Sequence, residues 1–232
     1  MNDLVKYTRN GDLVVIQIDN PPTNAFGHEV NTGLISAIDR FESDTTVKAA
    51  IVIGARNFFS AGADTWEIGE PQIDPNLTDV TLRFDRATKP IIAAIQNSAF
   101  GGALELALSC DFRICDSLAQ FALPEVKLGV IAAQSGNQRL PRLIGLPQAL
   151  EMIVLGEPVA ALKAKRFGLV DTVVDGDLLE AALAFAQEIA KKNPNLKHTC
   201  DPIEGPGLTD YAQKAFVAAR QLAEKKMRGQ DA

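Results

Sequence analysis

Histidine and cysteine are scarce in this 232-residue chain: there are two histidines, His28 and His198, and three cysteines, Cys110, Cys115 and Cys200. One histidine falls at an expected helix start and the other in an expected linker, both read as surface positions. That gives no His-rich metal cluster and no evident histidine general base, so no metal site is expected. The cysteines have no metal-ligand spacing and cannot make an even disulfide set, which points to reduced, mostly structural thiols. No apolar run approaches the roughly 18 to 20 residues that a membrane span requires, and the amino terminus MNDLVKYTRNGDLVVIQI has no extended signal core. A soluble cytoplasmic protein with no membrane partner is the expectation.

Two nucleotide signatures are also absent: no G-x-G-x-x-G follows a strand, and there is no G-x-x-x-x-G-K-[ST]. Ser135-Gly136 suggests a nucleophile elbow, but Ala133 and Asn137 stand where glycines are wanted, which argues against a serine hydrolase. The net charge of -6 and a pI near 5.0 argue against general affinity for nucleic acid.

What is present is apolar sequence, 47% of the chain, enough for one substantial core. Asn10-Gly11 between two strand-like runs predicts a hairpin, with Val14, Ile16 and Ile18 alternating. Two prolines break the chain at Asn20 to Asn24, a surface loop. Val30, Leu34, Ile38 and Phe41 recur at helical spacing. Ala49 to Ile53 and Pro90 to Ile95 are continuous apolar runs of strand length, the pattern of strands buried on both faces. Phe58 to Ile68 is rich in small residues, Gly69 to Asn76 reads as a flap, and Leu77 to Ala87 as a helix.

Gly101-Gly102 opens a helix over Ala103 to Leu108, with Glu105 inside it. Short strands are expected at Phe112 to Cys115 and Gln120 to Ala122, then a turn at Pro124 to Gly129. Helices follow at Gln138 to Ile144, Pro147 to Leu155, Ala160 to Arg166 and Leu178 to Lys191, with a strand in Leu169 to Val174. The domain reading is a core over 1–192, a proline-rich linker over 193–207 and a C-terminal helix within 208–232, from about Leu208 to Met227. Alternation of strands and helices gives an α/β layered class.

With histidine chemistry set aside, carboxylates take its place, because two of them divide acid and base duties when their surroundings push their pKa values apart. Glu105 sits in GGALELAL, where burial would raise its pKa. It also reads as part of a polar stripe with Ser109. Glu125 follows Pro124 and reads equally as a solvated loop carboxylate.

Four segments then resemble the crotonase family, the enoyl-CoA hydratases and isomerases: NPPTNAF at Asn20 to Phe26, FSAGAD at Phe59 to Asp64, KPIIAAIQNSAFGGALELALSCDFRI at Lys89 to Ile114, and LPEVKLG at Leu123 to Gly129. The resemblance runs from the first hairpin to about Lys191 and includes GEPVAALKAKRFGLVDTVV at Gly156 to Val174. It implies an α/β fold, a spiral of ββα turns with a helical C-terminal region. It implies an acyl-CoA thioester as substrate and no separate cofactor.

By motif match the amides of Ala63 and Gly102 would hold the enolate oxygen, while Glu105 and Glu125 would hold and activate water, Glu125 as the main acid/base. Asn24, Ala25, Phe26, Ala61, Gly62, Asp64 and Gly101 would line the substrate. Hydration of a trans-2-enoyl-CoA is implied, with 3-enoyl to 2-enoyl isomerisation as a second outcome of the same pair. Other crotonase-type chemistry, such as a thioesterase or decarboxylase, and a non-catalytic CoA- or RNA-binding relative are the alternatives.

Two departures from the family pattern accompany this. Ala132-Ala133 replaces a proline-glycine pair, so the Ala133 amide is the expected partner of the water, and Trp66 replaces a commonly basic CoA-side position. The segment after Lys191 resembles the hydratase part of multifunctional β-oxidation enzymes. A homo-oligomer, trimer or hexamer, is implied unless the chain is a fragment of such an enzyme.

Overall fold

The computed structural model describes residues 3–64, 73–192 and 208–226, together with Pro194, Leu196 and Thr199. Trp66, His198, Cys200, most of the expected linker and the Gly69 to Gln72 part of the expected flap lie outside the described residues.

The first hairpin pairs β1 (Val5–Asn10) with β2 (Leu13–Ile18), and Gly11 takes the positive φ of 63° that the turn between them requires. Helix α1 (His28–Ser43) follows. It buries Val30, Leu34, Ala37, Ile38 and Phe41 along one stripe, as its 3.6-residue period dictates. Strand β3 (Ala49–Gly54), helix α2 (Leu77–Asp85) and strand β4 (Ile91–Ile95) continue the alternation. Helix α2 starts at a full capping box, in which the Asn76 side chain accepts from the Asp79 amide and the Asp79 side chain accepts from the Asn76 amide.

After β4 the chain turns through Asn97, at φ 58°, into β5 (Ser98–Phe100), which the sequence reading did not separate from the loop. Helix α3 (Gly102–Ser109), β6 (Phe112–Asp116) and β7 (Gln120–Ala122) come next. A 3-10 turn, Pro124–Leu128, leads to α4 (Gly136–Ile144) and α5 (Leu146–Leu155). The remaining elements are β8 (Val159–Ala160), α6 (Ala161–Phe167), β9 (Thr172–Val174), α7 (Leu178–Lys192) and α8 (Leu208–Lys226).

Six strands form one sheet in the order β1-β2-β3-β4-β6-β9, parallel except for the opening hairpin. Its central strands are buried on both faces, which is why they read as unbroken apolar runs. Val14, Ile16, Ala50, Val52, Ile91 and Ala93 point into the core shared with α1, α2 and α3. Alternate residues Val15, Ala49, Ile51, Ile92 and Ala94 point the other way and meet Leu178, Ala182 and Ala186, one stripe of α7. The period of two along each strand thus sorts residues between two helical layers.

A second, smaller ladder winds inside the first. Strands β5, β7 and β8 form it, and it is extended by single parallel bridges between Ser60 and Ala99 and between Phe26 and Ala63. Successive turns therefore give a strand to the large sheet, a short extended piece to the inner ladder, and then a helix. This is the expected crotonase spiral of ββα turns, and the helical region after it packs α8 against α5.

Candidate active site

The inner ladder fixes the backbone of the small-residue segment. Asn24, at φ 51°, is 2% exposed and donates from its side chain to Ala55 O at 3.2 Å and Phe58 O at 2.7 Å. Ser60 Oγ donates to Asn24 O at 2.7 Å and accepts the Gly62 N–H at 3.0 Å. Asn24 is therefore a clamp for the loop, and its side chain does not line an open surface. Gly62 stands at φ 98°, where a Cβ would come within 2.5 Å of Phe100 O, so only glycine fits the close pass between turns.

The bridge at Ala63 uses its neighbours: Phe26 N–H donates to Gly62 O at 2.8 Å, and Asp64 N–H donates to Phe26 O at 3.2 Å. In a parallel pairing of this kind the amide between those two groups faces the opposite side. On that side lies Gly102, where a Cβ would sit 3.2 Å from Ala63 N. Gly102 is the first residue of α3, so its own N–H has no acceptor within the helix. Gly101 precedes it at φ 52° and is anchored by its N–H to Ala122 O at 2.9 Å. Two amide groups from Ala63 and Gly102, 39 residues apart in sequence, are thereby neighbours at a helix amino end.

Glu105, one helical turn beyond Gly102, is 2% exposed. Burial pushes its pKa up to about 7; the Gly136 amide opposes this by donating to Oε1 at 2.8 Å, and the charge of Glu125 adds to the rise. Ser109, read as its partner in a polar stripe, instead donates back to Leu106 O at 2.7 Å within its own helix. Glu125 stands in the 3-10 turn after β7. It is half-buried rather than a solvated loop carboxylate, and burial raises its pKa. Its Oε2 is shielded from solvent and has no hydrogen-bond partner among the described residues, while a Cβ on Gly101 would come within 3.0 Å of its Oε1.

Beside Glu125 an apolar cavity of about 200 Å³ is lined by Leu123, Val126, Val130, Ile131, Ile153 and Val154. A larger cleft of about 710 Å³ opens at the carboxyl ends of the main-sheet strands, lined in part by Gln17, Arg56, Gln96, Asn97 and Asp116; none of the sequence-predicted site residues borders it. Among the described residues no group of three or more His, Cys, Asp or Glu side chains is placed to hold a metal ion, and no helix is long and apolar enough to cross a membrane.

The sequence profile of the enoyl-CoA hydratase/isomerase family matches residues 8–230. The chain belongs to that family. It is similar to the peroxisomal bifunctional enzyme of Pongo abelii, 38% identical over 222 residues, which cover 94% of this chain and 31% of that protein. It thus spans about a third of the length of such relatives. It is also similar to a probable enoyl-CoA hydratase of Bacillus subtilis, 39% identical over 191 residues, 78% of this chain and 74% of that one. Among solved structures, Pseudomonas aeruginosa DspI superimposes with a TM-score of 0.78 at 30% identity, covering 100% of this chain and 90% of that one. An enoyl-CoA hydratase from Bacillus anthracis gives 0.77 at 26% identity, covering 96% and 90%.

Ala133, whose amide was the expected partner of the water, lies close in sequence to the amides that meet Glu105. Its residue is exposed, and the amides directed at Glu105 are those of Gly136 and Gln134. Ala132 is buried in the core instead. Gly136, the residue whose amide meets Glu105, follows Ser135, which adopts a left-handed φ of 74° where α4 opens. The Ser135-Gly136 pair, set aside as a failed nucleophile elbow, was the available signal: a glycine at the start of a helix offers a free amide. Phe26 is 2% exposed and packs in the core, so its contribution to any ligand is through backbone. Ala25 and Asp64 are half-buried and Ala61 is exposed, flanking the same bridge. His28, expected at the surface, is half-buried, while Cys110 and Cys115 are buried free thiols as expected.

Proposed function

We propose that this enzyme hydrates a trans-2-enoyl-CoA to the 3-hydroxyacyl-CoA, with the Ala63 and Gly102 amides as oxyanion donors and Glu105 and Glu125 as the acid/base pair. The observation that carries this reading is the placement of one buried and one half-buried carboxyl, both with raised pKa values, next to two backbone amides at a helix amino end. Amide donors aimed at a thioester oxygen favour the enolate over the ground state, and such a donor is worth about 3 kcal/mol in related acyl-transfer sites. Water held between the carboxyls loses a proton to one of them as its oxygen attacks C3. The enolate that forms then takes a proton at C2, and the pair returns to its starting charge.

Glu125 is assigned the main proton transfer, because its Oε2 is shielded from solvent and has no hydrogen-bond partner among the described residues. Glu105, fixed by the Gly136 amide, orients the water. The apolar cavity beside Glu125 suits a short acyl chain, and the enzyme requires no cofactor beyond the CoA carried by the substrate. The same pair carries a proton between C2 and C4, so isomerisation of a 3-enoyl thioester belongs to the proposal.

The test follows the ultraviolet absorbance of a short trans-2-enoyl-CoA with wild type, Glu105→Gln and Glu125→Gln. Each substitution is expected to lower kcat by 10²-fold or more, within the usual range of about 10² to 10⁴ for acid–base catalysis. Undiminished turnover in both variants would remove the assignment.

A further inference from the structure

Arg139, on α4, is 2% exposed, and its guanidinium grips Asp85 at the carboxyl end of α2 with both arms: Nη1 to Oδ1 at 2.6 Å and Nη2 to Oδ2 at 2.5 Å. Asp85 is itself almost buried, with 9% of its side chain exposed. Two further bonds leave the same guanidinium. Nε donates to Ser135 Oγ at 2.9 Å, and Nη1 donates to Thr199 Oγ1 at 3.3 Å. Thr199 in turn donates to Leu108 O in the last turn of α3 at 2.5 Å. One side chain therefore ties together α2, the residue that starts α4 and, through Thr199, α3.

A buried ion pair is costly to desolvate, and its attraction compensates only when the geometry is well fixed and the other donors are satisfied. The fork of arginine meets that requirement here, because two N–H groups match the two oxygens of Asp85 and a third is taken by Ser135. Ser135 is the point of interest. It sits at φ 74°, a left-handed conformation that a non-glycine residue keeps only when its surroundings hold it, and the following amide is the one that meets Glu105.

We infer that the Asp85–Arg139 pair is a positioning device: it fixes Ser135, hence the amino end of α4, hence the Gly136 amide that orients Glu105. This rests on the reading of Glu105 as a member of the acid/base pair. The charged groups that face Glu105 are Glu125 from the 3-10 turn and Arg139 from α4, with Asp85 of α2 on the far side of the guanidinium. The cation opposes the effect of burial on Glu105, so removing it also moves the acid limb of the pH–rate profile upward.

The experiment measures kcat, KM and the pH profile of hydration for Arg139→Gln, Arg139→Lys, Ser135→Ala and Glu105→Gln, each checked for folding by circular dichroism. Arg139→Gln is expected to lower kcat about 10- to 100-fold, as small misplacements of catalytic groups do, with KM changed less than about threefold. Arg139→Lys retains the charge without the fork, so it should keep the acid limb near its wild-type position while kcat stays low. Ser135→Ala preserves the buried pair and removes the bond from Arg139 Nε to the residue that caps α4, together with that hydroxyl's bond to Gln134 O, and it carries the test if Arg139→Gln does not fold. A fall in kcat at steady KM there supports the inference; wild-type kcat overturns it. If Glu105→Gln is inactive while folded Ser135→Ala and Arg139→Gln turn over normally, this inference fails alone. Full activity in Glu105→Gln removes Glu105 from the acid/base pair and this inference with it.

Discussion

The Gly136 N–H donates to Glu105 Oε1 at 2.8 Å, so the amino end of α4 holds a carboxylate that belongs to α3. The approach leaves no room for a side chain: a Cβ on Gly136 would lie 2.9 Å from Glu105 Cγ and 3.0 Å from its Oε1. Gly136→Ala is therefore expected to fold and to displace Glu105 rather than α4. A shift of about 1 Å at a reacting group costs on the order of 10²-fold in rate, so kcat should fall by that much with little change in KM. Steady-state kinetics against a short enoyl-CoA check this.

The pH dependence of hydration follows from the same carboxyl. Glu105 is held at about 7, first by burial and then by the charge of Glu125 acting against the Gly136 amide. A proton must be taken from water by an ionised member of the pair, so kcat is expected to rise as pH passes upward through about 7 and to level off above it. The midpoint belongs to the pair, since the two carboxyls influence each other. A flat profile between pH 5 and 8, measured with one substrate and constant ionic strength, would contradict the assignment.

Stability should move in the opposite sense. In the unfolded chain Glu105 loses its proton near its ordinary value of 4.5, whereas in the fold it keeps the proton to about 7. Below the first value both states are protonated and nothing is lost. Between the two, folding becomes less favourable with each step of pH, and above the second the full cost of roughly 3 kcal/mol is present. Glu105→Gln removes that cost while keeping an oxygen for Gly136. Urea unfolding should show the variant about 3 kcal/mol more stable than wild type at pH 8, and the gain should vanish by pH 4.

Much of this arrangement was legible in the residues. Continuous apolar runs at Ala49 to Ile53 and Pro90 to Ile95 announced strands covered on both faces, and the helix of Val30, Leu34, Ile38 and Phe41 announced one of the covering layers. The short inner strands β5 and β8 were not visible, because two or three residues carry no periodicity and their pairing is made by distant turns. Glu105 and Glu125 stood out as carboxylates in apolar surroundings, yet the resemblance was needed to bring them together. Gly136 was not picked out for a backbone reason: it follows the left-handed Ser135 at the start of α4, and a positive φ at serine leaves no mark in sequence. The Arg139–Asp85 grip joins residues 54 apart, beyond any local pattern.

Gly102 offers a test of the amide pair that leaves the carboxyls untouched. Its neighbour across the turn of the spiral is Ala63 N, 3.2 Å from where a Cβ on Gly102 would stand, and the other contact, at 2.6 Å, is Leu77 Cδ2, the movable end of a side chain. Gly102 lies at a helix start without a positive φ, so alanine is compatible with its backbone, and Leu77 can yield. The added methyl would then occupy the space in front of the Ala63 amide, where the thioester oxygen is proposed to sit. Loss of one oxyanion donor typically costs about 10²- to 10³-fold in kcat. Gly102→Ala should show a loss of that size, with a melting temperature close to wild type and with the acid limb of the pH profile unmoved, because neither glutamate is touched. Full activity in a folded Gly102→Ala would show that the oxygen is held elsewhere.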